Sequence, residues 1–332
     1  MNALRFFKIF RFKKNISTKK QKGFNLLEVM IALAIGAVII AGILQIFVSN
    51  KQTYRTMNAL AGLQENARFA LMIMGRAIRE TDNFLCRDSD HNVYPSSYYF
   101  AGSDGGGIAS DSITIVNILE DTPDETVSNI SHTPTTTDKD GEIIHVNSTT
   151  ELKKYFDEGN IFIIFDNCNT SATNFAWLKQ INSIQDANTI TLSSGDGFKE
   201  DRRFVGGKIH KLQRTRYFVQ NNSLIMWDLN RNVTHELLDG VENMQITYGI
   251  DQVSSANKKF YLKASDIANT DTWWDVSSIR INLLMATEDN ISSKNLSYKF
   301  IDSNGATTEY NATDKRIRKL FTTTIALRNR VP

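Results

Sequence analysis

Hydrophobic and polar positions change their spacing twice along the chain, and each pattern predicts a different element. Residues 29–44 contain no polar side chain and lie within an apolar run from Phe24 to Val48. About 20 such residues span the hydrocarbon core of a membrane, so the run predicts a transmembrane helix over 24–48. Over 49–82 the apolar residues follow spacings of three and four, which predicts that the helix continues as an amphipathic segment.

Beyond residue 82 the period becomes two, which is typical of half-buried strands. The continuous apolar run at 162–165 predicts a central strand. Asn221 and Asn222 separate two apolar runs and predict a tight hairpin, since Asn tolerates positive φ. Strands are predicted at 112–119, 143–146, 161–165, 189–192, 215–219, 224–227, 244–250, 276–286 and 321–328. The sequence therefore predicts an α+β fold in which residues 83–332 form one β-rich globular head on a long helix.

A polar segment at 120–141 interrupts the strand pattern. It is rich in Thr, Asp and Pro, and Val127 and Ile130 are its two large apolar residues before Gly141. A connection of this length and composition predicts a surface insertion.

The charge distribution fixes the orientation of the apolar helix. Eight of the 38 basic residues and none of the 36 acidic residues precede Glu28, which leaves 30 basic against 36 acidic residues in the rest. By the positive-inside rule the basic segment is cytoplasmic and everything after Val48 is exported. The remainder is mildly acidic, whereas a nucleic-acid-binding domain usually presents a basic face, so no nucleic-acid partner is predicted.

Glu28 distinguishes this segment from an ordinary signal or anchor. A secretory signal has a shorter apolar core, and a plain anchor gains nothing from a carboxylate, which costs roughly 2.5–3.5 kcal/mol at the centre of a membrane helix and less near its end. The local order is Lys22-Gly23-Phe24 followed by Glu28. This closely resembles the type IV prepilin signature, in which a basic leader ends in Gly and is followed by Phe and by Glu as the fifth mature residue.

The resemblance implies a processing pathway. Prepilin peptidase would remove the leader, residues 1–23, by cleavage between Gly23 and Phe24 on the cytoplasmic face, and the new amine of Phe24 would be N-methylated. Glu28 would pair with that amine on a neighbouring subunit during assembly. An amine created beside the membrane is a natural counter-charge for a carboxylate one helical turn further on, because an unpaired charge in low dielectric is costly.

Three segments of the head resemble PilW-type minor pilins. Residues 239–251, which also resemble J-type pseudopilins, read DGVENMQITYGID; residues 279–284 read IRINLL; and residues 318–329 read RKLFTTTIALRN. The resemblance implies a pilin-like fold and a minor pilin that assembles with other minor pilins and the major pilin in the inner membrane. Such a subunit would prime a type IV pilus, end near its tip and serve twitching motility.

Two other roles share parts of this pattern. A J-type pseudopilin of a type II secretion system would have the same leader, the same Glu28 and a β-rich head, but the PilW-like terminus favours the pilus. A tip adhesin or DNA-binding subunit would use the insertion at 120–141 or a small basic terminus. That terminus, which is more simply explained as a solvated strand edge, contains Arg316, Arg318, Lys319, Arg328 and Arg330.

Cys86 and Cys168 are the two cysteines, and both follow the membrane segment. An oxidising periplasm would favour a bridge between them, which would stabilise the fold by roughly 4 kcal/mol in the chain-entropy model. The alternative is a pair of buried free thiols.

No catalytic or cofactor pattern stands out in the sequence. The five histidines are scattered, and there is no paired-histidine metal motif, nucleophile elbow or phosphate-binding loop. Trp273 and Trp274 are predicted to be core aromatics, with a partner-binding surface as the alternative. A membrane-anchored enzyme is therefore the least favoured class, and no cofactor or metal is predicted.

Overall fold

The computed structural model describes residues 23, 25–81, 100–105, 109–118, 141–145, 162–166, 176–186, 189–193, 208–251, 259–268, 273–302 and 306–327. The chain divides into two compact units, Met1–Tyr54 and Arg55–Pro332. Helix α1, Leu26–Glu80, supplies residues to both units. This confirms the continuous helix predicted from the two consecutive apolar patterns.

In the first unit α1 is apolar and exposed on all sides. It begins after Asn25, whose carbonyl oxygen accepts hydrogen bonds from the backbone N–H groups of Glu28 (2.9 Å) and Val29 (3.3 Å). Large apolar side chains such as Leu33 and Val38 expose 69% and 74% of their surface. By length and composition this helix could cross a membrane, and its apolar stretch has the length that the hydrocarbon core requires.

In the second unit the remainder of α1 supplies one side of the hydrophobic core. Its buried apolar residues recur at spacings of three and four and are Leu63, Ala67, Ala70, Met74 and Ile78. They belong to the same core cluster as Ile279, Ile281 and Leu283 of a central strand. The alternating residues of that strand therefore face the helix, as the sequence pattern predicted.

The strands of the described residues form three antiparallel sheets. Their bounds are β1 Phe100–Ser103, β2 Ser112–Ile118, β3 Gly141–His145, β4 Phe162–Asp166, β5 Ala176–Asp186, β6 Thr189–Ser193, β7 Lys208–Gln220, β8 Ser223–Asp228, β9 Val233–Asp239, β10 Val241–Asp251, β11 Lys259–Leu262, β12 Val276–Ala286, β13 Ser297–Ile301, β14 Thr307–Asn311 and β15 Arg318–Ala326. A short helix α2, Ala264–Ala268, and a 3-10 turn, Trp273–Asp275, connect β11 to β12.

The largest sheet has nine strands. Seven follow the order β1-β2-β7-β4-β5-β6-β3, and β8 and β9 extend from β7. The apolar strand β4 lies between β7 and β5, which confirms its predicted central place. Asn221 and Asn222 have φ angles of 51° and 62° and connect β7 to β8, which confirms the predicted hairpin.

The second sheet has the order β11-β10-β12-β15, and β13 and β14 pair as a separate hairpin. Within β12, Arg280 is half-buried, as expected from the alternation, but Asn282 is 1% exposed. Its Oδ1 accepts a hydrogen bond of 2.8 Å from the Thr322 hydroxyl. The face of β12 that points away from the core is therefore partly covered too.

Six strands are absent from the sequence prediction: β1, β5, β9, β11, β13 and β14. Two of them show why. The first four residues of β9 are all exposed, and β14 reads TTEYN with one half-buried residue. Strands exposed on both faces carry no period-two pattern, so their signal is missing from the sequence. The α+β architecture itself, a long amino-terminal helix and an antiparallel head, is confirmed.

Candidate assembly site

The residue predicted to end the leader lies in open surroundings. Gly23 is exposed, and a Cβ placed on it would have no heavy atom within 4 Å. Nothing in the described part of the chain therefore requires glycine at this position for packing. Phe24, on the other side of the predicted cleavage site, is not among the described residues, so the cleavage and methylation stay predictions.

Glu28 lies in the first turn of α1, where the helix dipole favours a negative charge. It is exposed, and its neighbours Leu27 and Val29 expose 62% and 43% of their surface. It is also the one charged residue between Leu26 and Val48. No basic side chain of the described residues forms a salt bridge with it. The carboxylate thus stands on an apolar helix without a counter-charge from the described parts of the chain.

Three further sequence predictions fall outside the described residues. Neither Cys86 nor Cys168 is a described residue, so the disulfide between them remains a prediction. The same holds for the insertion at 120–141, apart from Gly141, which begins β3. The loop-borne binding functions considered for that insertion are likewise untested.

The structure brings the three PilW-like segments of the head together. Residues 239–251 contain β10, residues 279–284 lie in β12, and residues 318–329 contain β15. These strands are direct neighbours, with β12 hydrogen-bonded to β10 on one side and to β15 on the other. The segments that carry the resemblance therefore form three adjacent strands of one sheet.

An ion-pair cluster joins the first and third of these segments. Arg318 donates from Nε to Glu242 Oε2 (2.6 Å) and from Nη1 to Asp314 Oδ1 (2.6 Å). Arg316 also pairs with Glu242, and it donates from Nε to Asp314 Oδ2 over 3.0 Å. The Arg318 side chain exposes 9% of its surface and that of Glu242 13%. Two carboxylates and two guanidinium groups thus neutralise one another in a largely desolvated position.

Hydrogen bonds within the cluster shift its titration. The side-chain hydrogen bond from Arg318, followed by those from Arg316, holds the pKa of Asp314 well below its ordinary value. The same bond to Asp314, with the bond to Glu242, raises the pKa of the Arg318 guanidinium. Both groups therefore remain charged across the physiological pH range.

The basic terminus differs from the sequence prediction at two positions. Arg316 and Arg318 were expected on a solvated strand edge, but both pair with carboxylates and Arg318 is nearly buried. The expectation was wrong for these residues because the sheet order places Glu242 within their reach. No local signal marks that pairing, since Glu242 and Arg318 are 76 positions apart.

A buried carboxylate fixes a loop against β10. Asp111 is 2% exposed and accepts backbone hydrogen bonds from Gly105 N (2.9 Å) and Ile246 N (2.8 Å). Burial raises the pKa of Asp111 to about 6, although the two backbone donors oppose the shift. The role of this residue was not predictable from the sequence, because an isolated Asp in a polar loop carries no distinguishing pattern.

The other sequence predictions for the head concern its tryptophans and metal sites. Trp273 is 3% exposed, and its ring lies edge-on to Tyr248 with centroids 5.0 Å apart, which confirms a core aromatic. The side chain of Trp274 is outside the described set. Among the described residues no group of three or more His, Cys, Asp or Glu side chains could hold a metal ion.

Comparison with known protein families finds one match near each end of the chain. Residues 18–44 match the sequence model of the prokaryotic N-terminal methylation motif, and residues 205–329 match that of the type IV pilus-assembly protein W. No curated protein and no solved structure matches the chain. The two family matches confirm the predicted resemblance to PilW-type pilins and to prepilins, and they support a minor pilin of a type IV pilus with a membrane-anchoring helix. Both families are structural components of pili and not enzymes.

Proposed function

We propose that this chain, in which a prepilin signal and a PilW-type head occur together, is a minor pilin that primes type IV pilus assembly and ends near the pilus tip. Prepilin peptidase cleaves it between Gly23 and Phe24, and the Phe24 amine is methylated. The helix spans the inner membrane with its amino terminus in the cytoplasm and the head in the periplasm. Other minor pilins and the major pilin are its partners.

The single observation that carries the proposal is the position of Glu28. A lone carboxylate on an exposed apolar helix requires a cation, and the described chain supplies none. Cleavage after Gly23 would create an amine one helical turn from Glu28 in every subunit. The amine of a neighbouring subunit would then neutralise Glu28 and set the register between the two helices. Without a hydrophobic driving force between helices in lipid, such a pairing adds directly to the packing energy of assembly.

Gly23 supports processing for a separate reason. Since the space around it accepts a side chain, folding gives no reason for a glycine there. Recognition by a peptidase that requires glycine before the cleavage site would be a reason for it.

The PilW match over residues 205–329 favours a pilus over a type II secretion system. Deleting the gene should abolish twitching and leave protein secretion intact, whereas loss of secretion with normal twitching would favour the J-type pseudopilin instead.

Mass spectrometry of the mature amino terminus tests the proposal most directly. The protein, purified from membranes of its own host, should begin with N-methylated Phe24. A mature protein that begins at any other residue would remove the basis for Glu28 pairing and leave an ordinary membrane-tethered domain.

A further inference from the structure

Two basic residues and a tyrosine directly follow the apolar stretch of α1. They are Lys51, Tyr54 and Arg55, and the apolar run ends at Val48. Spacings of three and four place the three residues on one side of the helix. All three are exposed, Tyr54 to 67% of its surface. We refer to Lys51, Tyr54 and Arg55 as the basic turn. Its geometry is set by α1 alone, because the helix is continuous from Leu26 to Glu80.

The basic turn carries an uncompensated charge. Between Glu28 and Glu65 the sequence contains Lys51 and Arg55 as its two charged residues. No carboxylate of the described residues forms a salt bridge with either of them. They lie four positions apart, where like charges destabilise a helix slightly. Helix stability therefore gives no reason for this pair of cations, whereas an anion bound beside them would offset their repulsion.

The position of the basic turn along α1 matches the headgroup layer of a bilayer. From Val29 to Val48 the helix is about 30 Å long, which is about the thickness of the hydrocarbon core. The backbone of Lys51 then lies about 5 Å beyond that core and the backbone of Arg55 about 11 Å beyond it. The polar layer on each side of the core is about 5–8 Å thick. Side chains of an α-helix tilt toward its amino terminus, here the direction of the apolar stretch, so Arg55 also reaches this layer.

The residue types are those that bind at a boundary between lipid and water. A tyrosine ring lies at the level of the headgroups with its hydroxyl in water. Lysine and arginine lay their alkyl chains along apolar surface and extend their charges to the phosphates, and a guanidinium donates two hydrogen bonds to one phosphate. Thr53, on another side of the helix, donates its hydroxyl to the Ser49 carbonyl oxygen (2.9 Å) and is satisfied within α1. The basic turn instead presents its donors to a molecule outside the helix.

We propose that the basic turn binds the phosphate of an anionic phospholipid in the leaflet where α1 leaves the membrane. The inference deepens the membrane anchoring in the proposed function and rests on it. Two cations complement an acidic headgroup, and the site is continuous with the exposed apolar surface of α1. The phosphates of acidic lipids are already at this level, whereas a carboxylate of another subunit has to be brought there.

The lipid contact gains importance when the leader is removed. The eight basic residues before Glu28 all precede Phe24, so the proposed cleavage removes every one of them. Lys51 and Arg55 are then the first two basic side chains of the mature chain, and Arg68 is the next. Slippage of the mature helix toward the cytoplasm would carry both cations into hydrocarbon, which is costly. Acidic lipids at the basic turn therefore hold the helix at its depth after the leader is lost.

Photocrosslinking in vesicles of equal parts phosphatidylglycerol and phosphatidylcholine tests the inference. The full-length chain carries either Tyr54→p-benzoylphenylalanine or Phe47→p-benzoylphenylalanine, at two aromatic positions that are 67% and 64% exposed. The probe at 54 should label phosphatidylglycerol at least about fivefold more than phosphatidylcholine, the preference expected for one cation at an anionic surface. The probe at 47 lies in the apolar stretch and should label both lipids about equally. Since both leaflets have the same composition, the direction of insertion does not affect these ratios.

Substitutions of the two cations identify the groups that bind the lipid. Lys51→Gln combined with Arg55→Gln should lower the ratio at the probe on position 54 to about one. Each substitution alone should lower it in part, which keeps the test decisive should the double variant fail to insert. Arg68→Gln is the matched control, since Arg68 is an exposed arginine of the same helix 20 positions beyond Val48, and it should keep the wild-type ratio. Lys51→Arg combined with Arg55→Lys keeps both charges and should keep the preference.

The outcomes separate this inference from the proposed function. Equal labelling of the two lipids at position 54, with lipid labelled at position 47, would overturn the inference and leave membrane anchoring intact. If neither probe labels lipid, membrane anchoring fails as well. Labelling of a second copy of the chain at position 54, in place of lipid, would assign the basic turn to a protein contact and overturn the inference. An undiminished preference for phosphatidylglycerol in the Lys51→Gln, Arg55→Gln variant would overturn it too.

Discussion

Glu242 and Arg318 belong to strands on opposite sides of β12, yet two hydrogen bonds join them, from Nε to Oε2 at 2.6 Å and from Nη2 to Oε1 at 2.9 Å. Their side chains expose 13% and 9% of their surface. The pair therefore connects β10 to β15, the outer two of the three PilW-like strands, in a poorly solvated position. Removing one member leaves the other charged and partly unpaired.

We predict that Glu242→Gln destabilises the head by about 3 kcal/mol, the lower end of the range for breaking a buried pair, because Asp314 still contacts Arg318. Urea unfolding of the full-length protein in detergent, followed by tryptophan fluorescence, measures the change. Arg76→Gln is the control, since its salt bridge to Glu80 joins side chains that are 80% and 53% exposed. It should cost less than about 0.5 kcal/mol. Equal losses in both variants would contradict a special role for the cluster.

Asp111 makes the stability of the head depend on pH. Burial raises its pKa from 3.8 to about 6. Between those values the folded protein holds a proton that the unfolded chain has lost, so stability falls as pH rises, and it stays level above about pH 6. The difference corresponds to about 3 kcal/mol. Asp314 does not mask this fall in stability. Its pKa in the folded protein lies below the ordinary value of 3.8, so the stability that its ionised form contributes is present above that pH.

Urea unfolding at a series of pH values tests this dependence. Asp111→Asn cannot titrate and should remove most of the slope, but it also destabilises the head, because an amide supplies one acceptor where Gly105 and Ile246 use two oxygens. Asp104→Asn, which keeps the Asp111 carboxyl, should retain the slope. An unchanged slope in Asp111→Asn would assign the dependence to another group.

Glycine substitutions in α1 should distinguish helix propensity from packing. A Cβ on Gly75 would lie 3.5 Å from Ile325 Cδ1, an ordinary contact distance, whereas a Cβ on Gly62 would touch nothing. Gly75→Ala and Gly62→Ala should each stabilise the helix by roughly 0.5–1 kcal/mol. Gly75→Leu should instead destabilise the head by about 1–3 kcal/mol, since Ile325 leaves no room for a larger side chain. Thermal unfolding by circular dichroism measures all three, and a tolerated Gly75→Leu would show that helix and sheet are not in close contact.

Glu28→Ala should leave processing intact and impair recruitment into the fibre. The substitution removes the carboxylate that the proposed amine of a neighbouring subunit requires, but it leaves Gly23 unchanged. Counting pili and measuring the amount of this protein in sheared fibres gives the result. Glu65→Ala, which removes an exposed acidic residue further along α1, is the control and should behave as wild type. Wild-type pilus number and incorporation in Glu28→Ala would remove the pairing argument.

Gly23→Leu should accumulate as a precursor. Since the space around Gly23 accepts a side chain, the variant should fold and insert normally, and only the enzyme should be affected. An immunoblot of membranes shows the size difference. Mature-sized protein in this variant would speak against prepilin processing.

The long elements of the fold could be predicted from the sequence because they carry strong local signals. The apolar and amphipathic patterns predicted a helix over 24–82, and α1 runs Leu26–Glu80. The Asn221-Asn222 turn was also predictable, since its chemistry is local. By contrast, β9 is largely exposed and has β8 as its single neighbouring strand in the described chain, which leaves no hydrophobic period to detect.

The candidate sites divide in the same way. Gly23 and Glu28 were predictable because a short motif contains them both. The Glu242–Arg318 pair depends on the strand order β11-β10-β12-β15. That order is a property of long-range pairing, and no spacing within a single segment specifies it.

The continuity of α1 has a mechanical consequence. One helix, Leu26–Glu80, contains the lipid-compatible residues and, further along the chain, Ala67, Ala70 and Met74 of the head's core. A pull on the apolar segment would reach the head through the backbone of α1, because no residue between Leu26 and Glu80 leaves the helix. Separating the head from its anchor then demands shearing a helix out of a packed interior, so the tensile strength of the subunit is set by the cohesion of its own fold.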